Sequence, residues 1–152
     1  MSGQMRLDRE AIARLVPHHG PMCLLEEVLE CDESAITCRA ISHRDAANPL
    51  RSAQGLPAIM GVEYAAQAVA VHGSLTSNSE HQKGYLAALR DVVCSVERLD
   101  NAADDLVVRT TRVAAESGRL LYDFRIEAGG RELLKGRLSI VLIHDKSAGH
   151  RR

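Results

Sequence analysis

The chain has 152 residues, 45% of them apolar and 26% charged, with a formal net charge of −1. That balance excludes a broad basic field for nucleic acid or an anionic membrane, and 3% aromatics without tryptophan argue against a base-stacking platform. What remains is ordinary globular composition, with enough chain for one domain and a sizeable core.

The first ten residues, MSGQMRLDRE, lack the apolar core of a signal peptide. Together with the absence of a convincing membrane span, this gives the expectation of a soluble, cytoplasmic protein. Cys23, Cys31, Cys38 and Cys94 are scattered without a CxxC pair. They are expected as small buried hydrophobes in a reducing compartment, and no metal or other cofactor is expected.

Leu7 to Val16 predicts a short amphipathic helix, N-capped by Asp8, with Ile12, Leu15 and Val16 on its apolar face. Pro17 ends it, and His18, His19, Gly20 and Pro21 form a tight turn. Met22 to Leu29 and Ala35 to Ile41 read as two hairpin strands joined by the polar Cys31–Ser34 turn. Ser42 to Gly55 is a polar loop without periodicity, long enough for a compact domain to suggest a functional role.

Leu56 to Leu75, LPAIMGVEYAAQAVAVHGSL, is the longest nearly apolar run. Pro57 near its start and five alanines predict a helix, apolar nearly all round and therefore buried. Glu63 and Gln67 lie four residues apart on one face of it. Burying a carboxylate costs several kcal/mol, so a core Glu63 needs a partner, such as Arg90 or Arg51, or a use. Glu63, Gln67 and His72 also make the run less apolar than a membrane span. His72, about half a turn round the helix from Glu63 and well along it, is expected to be structural.

The remainder reads as β-structure. Gly84 to Val96 is one strand, or two with a bend near Arg90–Asp91. Asp105 to Ala115 alternates around Leu106, Val108, Thr110 and Arg112. In Arg119 to Ala128, Leu121, Asp123, Arg125 and Glu127 share one face, and Leu120, Tyr122, Phe124 and Ile126 the other. Gly129–Gly130 is a hairpin turn, and Glu132 to Ile143 closes the sheet. The chain is read as a single domain over 1–152, with a core of about 7–144 and a charged, disordered tail over 145–152. Segregated helices and strands imply an α+β fold in which a curved antiparallel sheet wraps one long helix.

This order of elements resembles the hotdog fold of the 3-hydroxyacyl-acyl-carrier-protein dehydratases. Leu15 to Val28, LVPHHGPMCLLEEV, is similar to their opening segment through Pro17, His18, Pro21, Leu24, Leu25 and Val28. Leu56 to Gln67 is similar to their helix motif through Glu63, Ala66 and Gln67. The Pro-Ala-x-x-Gly-x-Glu-Tyr-x-Ala-Gln pattern further resembles the dehydratase-like proteins of aryl polyene clusters. The resemblance implies a substrate carried as an acyl-carrier-protein or coenzyme A thioester, a homodimer or larger oligomer, and an active site shared between subunits. It also implies a catalytic His just before the helix, but counting back from Glu63 places Pro49 there.

Dehydration needs a base for the α-proton and an acid for the departing β-hydroxyl. Glu63 is the expected acid, since burial favours the protonated form of a carboxyl group. Gln67 is a candidate to orient it, or else a packing amide. The helix N-terminus at Ala58, Ile59 and Met60 offers amides for the thioester oxygen. Tyr64, Gly84 and Tyr85 are candidate channel residues. His43 and His18 are the weaker candidates to replace the missing base. A chain with the acid and no His also suggests a heterodimer with a His-bearing hotdog paralogue. Two alternatives stay open: a thioesterase using Glu63, and a non-catalytic acyl-binding subunit.

Overall fold

The computed structural model describes residues 6–16, 20–76 and 82–144. The elements run β1 (Leu7–Asp8), α1 (Arg9–Leu15), β2 (Glu27–Cys31), β3 (Ala35–Ala40), α2 (Gly61–Thr76), β4 (Gln82–Cys94), β5 (Leu106–Glu116), β6 (Arg119–Ala128) and β7 (Arg131–His144). The seven strands form one antiparallel sheet in the order β1-β2-β3-β5-β6-β7-β4. The sheet curls round α2, which packs on β3, β5 and β6.

Local chemistry explains the turns. Asp8 caps α1, its Oδ1 accepting the Ala11 N–H at 3.0 Å. Asp32 Oδ1 accepts from the Ser34 and Ala35 amides at 2.9 Å each, closing the β2–β3 turn from its side chain. Ser117–Gly118 and Gly129–Gly130 take positive φ at both residues, the conformation that matches a two-residue hairpin to strand twist.

In β6, Tyr122, Phe124 and Ile126 are buried while Arg125 faces solvent, as the alternation predicts. With Leu106, Val108, Leu134 and Leu138 they meet Val62, Ala65, Ala68 and Val69 of α2 in the core. Gly61 permits this approach at the start of the helix, since a Cβ there would lie 2.8 Å from Leu134 Cδ2.

Several expectations need correction. Residues 22–26 are not strand; Gly20–Met22 is a 3-10 turn and β2 begins only at Glu27. The apolar residues there are buried by side-chain anchoring, described below, and not by a ladder. The α-helix begins at Gly61, after a 3-10 turn over Ala58–Met60. It is not buried all round: Glu63 is exposed, and Ala66 and Ala70 are half-buried on the same strip. β4 is one strand whose register shifts between Arg90 and Val93, where Asp91 takes φ +55°. Cys23, Cys31 and Cys38 are buried, with burial pushing the Cys38 thiol up to about 12, but Cys94 is exposed. No helix among the described residues is long and apolar enough to cross a membrane. His18, His19 and the 145–152 tail lie outside the described residues.

Candidate active site

Glu63 stands in the first turn of α2, on the strip that the sheet leaves uncovered. Among the described residues it has neither an ion-pair nor a hydrogen-bond partner. Arg51, one expected partner, instead donates its Nε–H to the Asp45 carbonyl at 2.9 Å and lies 3.5 Å from Asp100. The expectation of a buried Glu63 therefore fails within one protomer, because the side of α2 carrying it faces away from β3, β5 and β6. Ile59, one turn earlier, is 45% exposed on the same strip.

Gln67, one turn on, is buried with both ends of its amide occupied. Its Oε1 accepts the Leu24 N–H at 2.9 Å, and its Nε2–H donates to the Met22 carbonyl. It pins the segment before β2 to the helix, and this anchoring replaces the expected strand over residues 22–26. Gln67→Leu should leave the buried Leu24 N–H and the half-buried Met22 carbonyl without this partner and lower stability by about 1–3 kcal/mol, read as a lower urea midpoint. If Gln67 served only to orient Glu63, the midpoint would not move.

Tyr64 is fully buried, so it does not line an open channel within the protomer. Asn48 Nδ2–H donates to its hydroxyl at 3.0 Å; the Tyr64 and Ser42 hydroxyls are 2.8 Å apart, and Ser42 donates to the Leu24 carbonyl at 2.8 Å. With Leu24 as acceptor at one end and Asn48 as donor at the other, the Tyr64 O–H points to Ser42. Asn48 also donates to the Ser42 carbonyl and accepts the Leu50 N–H, both at 2.8 Å. This satisfied network fixes the polar loop over residues 42–50 to α2, with Pro49 at the surface. Residue types alone do not reveal it, since its two bonds to the Tyr64 hydroxyl span 16 and 22 residues.

His43 is buried, and its Nε2–H is shared between the Ala102 and Asp104 carbonyls at 3.2 and 3.0 Å. Its Nδ1 is buried without a hydrogen-bond partner among the described residues. Burial lowers its pKa from the ordinary 6.5. The ring is tied to residues 102–104, with no bond to Glu63. His18 lies outside the described residues, so its candidacy as a base has no geometry.

In the turn before α2, the Ala58 amide donates to the Glu97 carbonyl at 2.9 Å and the Met60 amide to the Pro57 carbonyl at 3.0 Å. Two of the three expected oxyanion donors are thus occupied, which leaves Ile59 as the candidate. The approach to this turn is held by Asp100, whose Oδ1 accepts the Leu56 N–H at 2.9 Å while its Oδ2 meets Arg98 at 2.6 Å. The Arg98 bond holds the Asp100 carboxyl well below the usual carboxylate range. Gly55, at φ +110°, passes so close to Arg98 that a Cβ would lie 2.5 Å from its Nε.

Gly84 and Tyr85 lie on β4, at the edge of the sheet and outside the cover of α2. Tyr85, Leu86, Leu89 and Val93 of this strand are all 40% exposed or more. A long edge strand with apolar side chains and unpaired backbone groups is a template for another chain.

His72 is buried near the other end of α2. Its Nε2 lies 2.8 Å from the Asp32 carbonyl, which can only accept, so Nε2 carries the proton. Its Nδ1 therefore accepts from the Tyr122 hydroxyl at 2.6 Å. Burial lowers its pKa below 6.5. The unfolded chain then takes up protons near pH 6.5 that the folded chain refuses, so stability is full above that pH and falls below it. The urea midpoint should drop between pH 7.5 and 5, and less so in His72→Gln.

A protein-family model described as ApeP-like, ApeP dehydratase, matches residues 10–149. No curated protein matches the chain. Among solved structures it is similar to the dehydratase heterocomplex ApeI:P from Xenorhabdus doucetiae, with 24% identity and a TM-score of 0.76 over 90% of this chain and 93% of that one. It is also similar to thioesterase HI1161 from Haemophilus influenzae, with 14% identity and a TM-score of 0.69 over 99% and 100%. A mutant of thioesterase PA1618 from Pseudomonas aeruginosa aligns at 12% identity and a TM-score of 0.68 over 91% and 95%. The shared architecture is the hotdog: one long helix wrapped by an antiparallel sheet.

Proposed function

The chain belongs to the ApeP-like dehydratase family, and from that premise we propose that it acts in the dehydration of a 3-hydroxyacyl thioester, supplying Glu63 as the acid to a hetero-oligomer. The histidine base comes from the other subunit. The observation that carries this reading is the placement of Glu63: on the uncovered strip of α2, unpaired among the described residues, with Pro49 where the family pattern has its histidine. Covering Glu63 with a partner would exclude solvent from the reacting atoms. The site is thus half-built in one protomer and completed by assembly.

In this scheme the partner's histidine removes the proton α to the thioester carbonyl. Charge developing on the thioester oxygen is met by the amide of Ile59, and Glu63 protonates the departing β-hydroxyl, releasing water. The acyl carrier is an acyl-carrier protein or coenzyme A. The similar ApeI:P structure is itself a heterocomplex, which supports an unlike partner. The apolar edge of β4 is the surface such a partner would cover.

A second reading, thioester hydrolysis by Glu63 without a histidine, is favoured by the similar structures described as thioesterases. Mass spectrometry of the products separates the two. Incubation of the assembled protein with a 3-hydroxyacyl thioester is expected to yield the 2,3-unsaturated thioester, lighter by one water. Release of free acid and thiol instead would establish the hydrolase.

A further inference from the structure

The convex face of the sheet, opposite α2, carries a groove of about 540 Å³ that the dehydration scheme does not use. Its walls are the outward side chains of Arg109 and Thr111 on β5, Asp123 and Arg125 on β6, and Lys135 and Arg137 on β7, and Asp91 of β4 adds a second carboxylate beside Asp123. Phe124 and Gly136, whose pleat positions face inward, form its floor.

Charge in this groove is unevenly matched. Arg137 is held by Asp123 through two bonds of 2.7 and 3.2 Å. Arg109, Arg125 and Lys135, by contrast, stand directly opposite one another across three adjacent strands. Like charges in facing register destabilise a sheet. A single carboxylate, Glu127, serves both Arg109 and Arg125 at 3.2 Å each, and Glu132 reaches Arg125 only at 4.0 Å. Lys135 forms no ion pair among the described residues. This cationic row sits on a chain whose net charge is −1, so it is not the by-product of a basic protein.

We infer that the groove binds a phosphorylated small molecule, a phosphate monoester or diphosphate seated across Arg109, Arg125 and Lys135. Strand spacing puts the three cations across about 10 Å, the reach of one or two phosphates. Guanidinium forks bind phosphate oxygens in pairs, and an ammonium adds a point charge. The volume lies within the range of small-ligand sites. The phosphate has two conceivable sources, a free phosphorylated metabolite or the phosphorylated end of a coenzyme A thioester.

Titration calorimetry of the full chain with inorganic pyrophosphate, 3′,5′-ADP and coenzyme A tests the inference. Saturable binding that weakens as salt rises is expected. In Arg125→Gln/Lys135→Met it should weaken by about tenfold or more. Arg131→Gln, a surface cation at the β6–β7 turn and outside the groove, should bind as the native chain does. Binding of pyrophosphate alone supports a free phosphate ligand; tighter binding of 3′,5′-ADP and coenzyme A supports the thioester's own handle. No binding of any probe at low salt, affinity unchanged in the double variant, or binding of poly-glutamate alone would overturn the inference. Pyrophosphate carries no part of the thioester that reacts at Glu63, so this test and that of the dehydratase reading fail independently.

Discussion

Glu63→Gln is expected to lower dehydration of a 3-hydroxyacyl thioester by about 10²–10⁴-fold, the usual contribution of a positioned acid or base. The amide keeps the shape and hydrogen-bonding reach of the carboxyl but cannot deliver a proton to a departing hydroxyl. Stability should hardly change, within about 0.5 kcal/mol, because Glu63 is exposed and has no partner among the described residues. That combination separates chemistry from scaffolding: a structural carboxylate would shift the unfolding midpoint, and an acyl-binding subunit without catalysis would lose little turnover. The readouts are the rate of unsaturated-thioester formation and the urea midpoint of the same preparation.

Leu89→Asp should weaken assembly by roughly 10²–10³-fold, in line with the several kcal/mol that an uncompensated buried charge costs. Leu89 is 41% exposed on the edge strand β4, beside Leu86 at 40%, in the part of the sheet that α2 does not cover. A partner strand paired to this edge would bury both side chains. It would also satisfy backbone groups that one protomer leaves open over Gln82–Cys94. The substitution replaces an exposed side chain within the protomer, so the fold should survive while sedimentation shows the dissociated species. Activity should fall in step with dissociation, since the site is completed across that boundary. Full activity from a dissociated chain would place every catalytic group within one protomer.

Much of the fold was legible because the relevant signals are local. The Asp8 cap, the alternation of β6 and the Gly129–Gly130 turn each depend on residues within a few positions of one another. The helix motif around Glu63 likewise led to the family. What could not be read were the contacts that depend on which faces meet. Alanines at 66 and 70 suit either a core or a partner surface, so the run over Leu56–Leu75 did not show that its Glu63 side is left uncovered by the sheet. Gly84–Val96 read as strand, but its place at the sheet edge did not show for the same reason: exposed apolar side chains look like core in sequence. The anchoring of Met22 and Leu24 by Gln67 spans more than forty residues, as does the pairing of His72 with Tyr122. Short polar side chains such as Ser42 and Asn48 gave no sign that they share the Tyr64 hydroxyl. The three cations of the convex groove become a row only once the register of β5, β6 and β7 is set.

The claim that matters most is that one protomer holds half of a catalytic pair. Its most direct test is the dehydration rate of the purified chain alone, and then in an equimolar mixture with a histidine-bearing hotdog subunit from the same type of pathway. The expected result is negligible turnover alone, recovery on mixing, and loss of that recovery when the chain carries Glu63→Gln. Full turnover by the chain alone, unaffected by the second subunit, would contradict it.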